Sequence, residues 1–253
     1  MSSDEESPIS QAVYDQLATS YDDITTSAVR EQYEWPAVQS LLPSLDGIHV
    51  LDAACGNGFY TERIVECGAT AVGVDASPEM LSHAQERFAD DDRVEVNQAD
   101  LTDGLPCLED DAFDLVLCQL ALEHIEAWEA VFAGFNRILM PGGQVVVSTS
   151  HPVRDYIEAE YPVREQILAE EASYPEIEQV DRDWGDEDSE CVVPFYRRPL
   201  AGMFDPALNN GFVVEQVVEP VVTDAFSEAT PKFATVLRDG PPLFICVRYL
   251  KPR

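Results

Sequence analysis

Lysine is nearly absent from this chain: Lys232 and Lys251 are its only two, and the other 13 of its 15 basic residues are arginines, set against 48 acidic ones for a formal net charge of −33. Nucleic acids and anionic membranes bind proteins by pairing phosphates with Lys and Arg, so a chain so poor in cations and without a local basic patch excludes both as expected partners. Paired cysteines are missing too. The six present (Cys55, Cys67, Cys107, Cys118, Cys191 and Cys246) include no CxxC and no zinc-type spacing, so they read as buried reduced thiols and no metal is expected. The opening MSSDEESPIS lacks the basic and apolar regions of a signal peptide, and no apolar run approaches transmembrane length, which leads to an expectation of a cytoplasmic protein. What is present is an ordinary globular core fraction, 45% hydrophobic over 253 residues, enough for one domain with a sizeable insertion.

Strand and helix patterns alternate from residue 49 onward. Short apolar runs at His49 to Cys55, Thr70 to Asp75, Val94 to Ala99, Phe113 to Cys118 and Gln144 to Thr149 read as buried strands. Helices are expected at Gly56 to Cys67, at Pro78 to Phe88 behind an N-capping Ser77, and at Trp128 to Leu139, stopped by Pro141-Gly142-Gly143. Phe212 to Glu219 and Leu243 to Leu250 supply an antiparallel pair that closes the sheet. The expected fold is α/β: a doubly wound, Rossmann-like sheet of seven strands, mostly parallel with an antiparallel C-terminal strand. The whole of 1–253 is one domain in this reading, with an N-terminal helical cap over 1–45 and a partly helical lid insertion over 151–205, where the periodicity fails.

The most informative segment is Val50-Leu51-Asp52-Ala53-Ala54-Cys55-Gly56-Asn57-Gly58-Phe59, an apolar strand running into G-x-G and then a helix. Such a turn brings backbone close to a ligand. A nicotinamide or flavin site shares this geometry but wants a third glycine where Thr61 stands. Asp52 discriminates further, because a carboxylate here would repel a pyrophosphate and favour an ammonium group, which suits S-adenosylmethionine. Asp75 ends the second strand 19 residues after Gly56, where a carboxylate can accept hydrogen bonds from ribose hydroxyls.

VLDAACGNGF, VGVDAS with PEML, NQADL, FDLVLCQLALEH and LMPGGQVVVSTSHP, in that order, resemble the class I methyltransferase family. The resemblance implies that Asp52, Ala53, Ala54, Gly56 and Gly58 line the methionine part of S-adenosylmethionine. It likewise implies Asp75 at the ribose, Ala76 and Met80 at the adenine, Asp100 and Leu101 at the adenine edge, Gln119 after the fourth strand, and Tyr14 and Tyr21 closing over the cofactor. The family more often has a bulkier residue and Gly where Ala53 and Ala54 stand. A nicotinamide-dependent oxidoreductase and a cofactor-binding protein without catalysis stay open as alternatives.

Gln119-Leu120-Ala121-Leu122 stands where nucleic-acid and glutamine methylating relatives carry Asn-Pro-Pro-Tyr, so a small-molecule acceptor is expected, worked on by a monomer or homodimer. His151, just past the fifth strand, is the candidate to deprotonate or orient an acceptor hydroxyl, or else it bonds the lid backbone. His124 resembles a structural residue of the family. Tyr196 and Arg197 are candidate substrate contacts, with Arg197 either clamping an anionic acceptor or pairing with the acidic lid.

Acid excess with lysine scarcity resembles proteins of salt-loving organisms, in which cations screen carboxylate repulsion. The unfolding temperature should therefore rise steeply with potassium chloride; full stability in dilute buffer would contradict the expectation.

Overall fold

The computed structural model describes residues 11–17, 28–157, 173–183 and 192–253. Tyr21 and Cys191 lie outside the described residues. The chain opens with helix α1 (Gln11–Leu17), a π-helical turn (Val29–Glu34) and α2 (Trp35–Leu41). Then follow β1 (His49–Ala53), α3 (Phe59–Glu66), β2 (Thr70–Asp75), α4 (Pro78–Arg87), β3 (Val94–Gln98), β4 (Phe113–Gln119), α5 (Trp128–Ile138) and β5 (Leu139–Ser150). After α6 (Pro152–Ile157) come β6 (Glu178–Asp183), β7 (Val192–Arg197), α7 (Leu200–Asn209), β8 (Val213–Val218), α8 (Asp224–Ala229), α9 (Pro231–Asp239) and β9 (Phe244–Leu250).

Seven strands form one sheet in the order β3-β2-β1-β4-β5-β9-β8, with β9 antiparallel to both neighbours and the other six running one way. Side-chain alternation explains why both faces are covered. Leu51, Val116, Val145 and Val147 point into a layer with Trp128, Phe132 and Phe135 of α5, while Val50, Leu115, Leu117 and Val146 point to the opposite layer with Val38, Leu41, Phe59 and Ile64. Each such buried side chain stabilises the fold by about 1.5–3 kcal/mol. The strand order reverses between β1 and β4, so a crevice opens at their carboxyl ends.

Four features differ from the sequence reading. The helix from Trp128 ends at Ile138, and β5 begins at Leu139, five residues before the expected start at Gln144; Pro141-Gly142-Gly143 lies inside the strand. The register irregularity between Phe113 and Leu115 absorbs the distortion, and a Cβ on Gly143 would come within 2.9 Å of the Met140 carbonyl oxygen. The lid region, expected to be partly helical, shows in its described part the antiparallel ribbon β6–β7 after a short helix. Helices α8 and α9 occupy a stretch with no expected element; Phe226, Ala234 and Leu237 dock there against Tyr33. Of the five described cysteines, Cys55, Cys118 and Cys246 are buried thiols, but Cys67 and Cys107 are exposed at a helix end and in a loop.

Gly58 serves the fold before any ligand. It sits at φ +87° as the residue that starts α3, and a Cβ there would lie 2.4 Å from the Phe88 ring at the end of α4. Gly58 is not among the residues that line the cavity described below, and the side a Cβ would occupy faces Phe88. Gly58→Ala should cost about 2–4 kcal/mol from overpacking and left-handed strain, read as a lowered denaturant midpoint; an unchanged midpoint would contradict this packing.

Candidate active site

The turn leaving β1 is held in a shape most residues avoid. Ala54 (φ +61°), Gly56 (φ +55°) and Gly58 are all left-handed. The turn is pinned by Cys55 N–H donating to the Val74 carbonyl at 2.9 Å and by Gly56 N–H donating to Asp75 Oδ2 at 2.9 Å. The other Asp75 oxygen accepts from Ser77 N–H at 2.9 Å, so one carboxylate ties the β1 turn to the β2 turn. Ser77 Oγ in turn accepts from Met80 N–H, capping α4, and donates to Asp15 of α1.

Above these turns lies a cavity of about 840 Å³, counting its open mouth. Ala54, Cys55, Gly56 and Asn57 form its floor; Asp75, Ala76, Ser77 and Met80 one wall; Ala99, Asp100 and Leu101 the next. Gln119, Leu120, Ala121, His124 and Ile125 face them across the crevice, Gln11 and Tyr14 reach in from α1, and Arg30, Phe59 and Tyr60 close the far end. Asp100 also anchors its own loop, accepting from Thr102 N–H at 2.8 Å. Leu120 is left-handed (φ +51°) with its N–H on the Ser148 carbonyl, a strained position at the cavity wall.

Gln119, which lines the cavity, and Asp52, which does not, each hold a buried acceptor without a donor. Asp52 is 1% exposed; Oδ2 accepts from Thr61 Oγ1 at 2.5 Å while Oδ1 has no partner. Gln119 donates to the Val146 carbonyl through Nε2, and its Oε1 is likewise unpartnered. Buried acceptors ordinarily find donors. Burial pushes the Asp52 carboxyl up to about 7, opposed by the Thr61 bond and reinforced by the nearby Asp75 charge. Burial also raises Asp75, opposed by the backbone N–H groups of Ser77, Gly56 and Ala76. Acceptors without donors beside raised carboxyls suit a ligand bearing a multiply donating cation, so the ammonium of S-adenosylmethionine fits the residues present. Thr61, standing where a dinucleotide site wants glycine, serves as the Asp52 partner. Among the described residues, no group of three or more His, Cys, Asp or Glu is placed to hold a metal ion.

A roof joins α1 to the lid ribbon. His124 Nδ1–H donates to the Pro194 carbonyl of β7 at 2.9 Å, which leaves Nε2 to accept from Tyr14 OH at 2.9 Å. Val13, Tyr14, Met80 and Val193 pack together around this bridge. Tyr14 thus lines the cavity from α1.

The remaining expected site residues lie elsewhere. Ala53 is fully buried in the core layer facing α5, because alternation along β1 turns it away from the crevice side of Asp52. His151 does not line the cavity: its Nδ1 accepts from Val153 N–H at 3.2 Å, capping α6, and its Nε2–H donates to Glu219 at 2.7 Å. Arg197 pairs with Glu178 at 2.7 Å across the β6–β7 ribbon and lies over the Tyr156 ring, so it is a lid brace with its charge already matched. Tyr196 lines a separate small cavity with Glu123, Thr149 and Arg198. The cavity residues not foreseen from sequence are Gln11, Arg30, Cys55, Asn57, Phe59, Tyr60, Ser77, Ala99, Leu120, Ala121 and Ile125, with His124 at the cavity as well as in the roof. The only available sign was the aromatic pair Phe59-Tyr60 directly after G-x-G; nothing in the sequence marks Arg30 among thirteen arginines.

A carboxyl whose folded-state value is raised binds its proton more tightly folded than unfolded, so stability is lost as pH climbs from about 4 towards about 7. Asp52→Asn removes that loss. The stability difference, wild type minus variant, should fall through this window at constant salt; a flat difference would contradict an isolated Asp52.

Comparison with known proteins agrees with this geometry. The methyltransferase domain family matches residues 51–147. A demethylmenaquinone methyltransferase of Clavibacter sepedonicus is 33% identical over 138 residues, 54% of this chain and 56% of that protein. A ubiquinone biosynthesis O-methyltransferase of Methylococcus capsulatus is 33% identical over 106 residues, 42% and 45% of the two chains. The chain thus spans about half the length of these curated relatives. The crystal structure of an S-adenosylmethionine-dependent methyltransferase from Mesorhizobium loti superposes with a TM-score of 0.65 at 28% identity, covering 86% of this chain and 97% of that one. No helix among the described residues is long and apolar enough to cross a membrane. Residues 51–147 match a methyltransferase domain, the fold is similar to that of S-adenosylmethionine-dependent methyltransferases, and S-adenosylmethionine is the cofactor.

Proposed function

We propose that this chain transfers the methyl group of S-adenosylmethionine to a small hydroxylated aromatic molecule of quinol type. One observation carries the reading: besides the β1 and β2 turns, the cavity is walled by Phe59, Tyr60, Leu120, Ala121 and Ile125, with Arg30 as its one described cation. Aromatic and aliphatic walls with few polar groups suit a flat apolar ring, and a polyanion would meet a net charge of −33. The names of the two curated relatives, both quinone-pathway methyltransferases, support the same acceptor class.

In this reading Asp52 Oδ1 and Gln119 Oε1 take the cofactor's ammonium, and Arg30 its carboxylate. Ala54 and the Gly56 backbone run beside the methionine part, Asp75 takes the ribose, and Ala76, Met80, Asp100 and Leu101 enclose the adenine. When bound, the cofactor supplies an electrophilic methyl for in-line displacement, so the protein's work is alignment and exclusion of water. Residues 1–45 act as the cap and 151–205 as the lid, meeting at the Tyr14–His124–Pro194 bridge. We place the protein in a salt-rich cytoplasm on the strength of its charge.

Labelled methyl offered from the cofactor to a panel of quinols, catechols and simple phenols, with transfer RNA and bulk protein as controls, tests the proposal. Label in the aromatic fraction is expected. Label only in the macromolecules, or tight S-adenosylhomocysteine binding with no transfer to any acceptor, would overturn it.

A further inference from the structure

Glu34 is a carboxylate that neither the fold nor the cofactor accounts for. It is 0% exposed, in the π-helical turn Val29–Glu34. Its Oε1 accepts from Ser148 Oγ at 2.5 Å and its Oε2 from Tyr60 OH at 2.9 Å. Tyr60 also lines the cavity, so its phenol joins the cavity wall to a buried carboxylate. A buried acid that merely packed would be better replaced by an apolar residue.

We propose that Tyr60 and Glu34 form a proton relay that deprotonates the acceptor hydroxyl during methyl transfer. The proposal deepens the function given above and rests on it for the acceptor class. In the step, the acceptor's O–H bond breaks and a new O–H bond forms on Tyr60 Oη while Tyr60's own proton passes to Glu34 Oε2. The acceptor oxygen keeps the electron pair it needs to bond the methyl, and the carboxylic acid at Glu34 returns its proton to solvent between turnovers.

The surroundings suit a proton that comes and goes. Burial holds Glu34 up at about 7, opposed by the Ser148 and Tyr60 bonds and by Arg30 on the same turn, and reinforced by Glu123 from the segment after β4. Cys246 of β9 also faces it, its thiol pushed well up by burial and by the Glu34 charge. Glu123 is itself held by Thr149 Oγ1 at 3.0 Å, and Arg30 lies over the Phe59 and Tyr60 rings at 5.3 and 5.4 Å. A base near neutrality is the efficient choice for a weakly acidic hydroxyl.

Two readouts test the relay. Difference infrared spectra of the S-adenosylhomocysteine complex should show a carboxylic-acid carbonyl band that disappears as pH rises through neutrality and is absent from Glu34→Gln; a wild type without that band overturns the proposal whatever the acceptor proves to be. In turnover, Glu34→Gln and Tyr60→Phe should each lower kcat by about 100-fold on a phenol protonated at neutral pH, with KM little changed, and abolish the rise of kcat with pH. The loss should shrink to a few-fold on a nitrocatechol that is already ionised. Equal losses on both acceptors would assign Glu34 a structural role and overturn the relay. Absence of transfer to every hydroxylated ring would instead remove the acceptor class, leaving the infrared result to decide the state of Glu34.

Discussion

The Asp75 carboxylate is the bond on which the site's shape depends. By accepting from Gly56 N–H and Ser77 N–H it fastens the turn after β1, whose left-handed residues are the strained ones, to the turn after β2. That fastening places the Ala54–Asn57 floor, sets the start of α3 through Gly58, and aims Ser77 to cap α4 and hold Asp15 of α1. The cost is a partly desolvated anion, offset in part by the N–H groups that surround it.

Buried Asp52 and Glu34 and half-buried Asp75 bring three carboxyls to the carboxyl edge of the sheet, with Arg30 the one described cation lining the cavity. Burial raises all three, so the protein alone keeps this edge short of positive charge. A cofactor carrying both an ammonium and a sulfonium relieves that shortage, which is a physical reason for this acidic edge to prefer it to a dinucleotide bearing phosphates. The roof adds a tie of a different kind: His124, donating to the Pro194 carbonyl and bonded to Tyr14 OH, joins α1 to the β6–β7 ribbon.

The parallel sheet was legible because its strands are local apolar runs and its turns carry Gly, Pro and a capping Ser at fixed offsets. Asp52 and Asp75 were legible for the same reason, each standing at the end of such a run. What escaped depends on distance in the chain. Tyr60 and Arg30 meet the cavity only after α3 and the π-helical turn pack on the sheet, and Tyr14 reaches His124 across 110 residues. Glu34 could not be told from the other acids in a chain with 48 of them, since burial and not residue type distinguishes it. His151 and Arg197 misled because position past a strand end, or an arginine beside aromatics, says nothing of an acidic partner such as Glu219 or Glu178 that claims the charge first. The early start of β5 was hidden by Pro141-Gly142-Gly143, which elsewhere ends elements and here is carried by a register irregularity.

The central claim is that the unpartnered oxygens of Asp52 and Gln119 select the cofactor by its ammonium. Calorimetric titration of the protein with S-adenosylhomocysteine and with its analogue lacking the α-amino group measures this directly. The account predicts that the analogue binds about 10–100-fold more weakly, the value of a charge-assisted hydrogen bond to a buried carboxylate. Equal affinity for the two would contradict it.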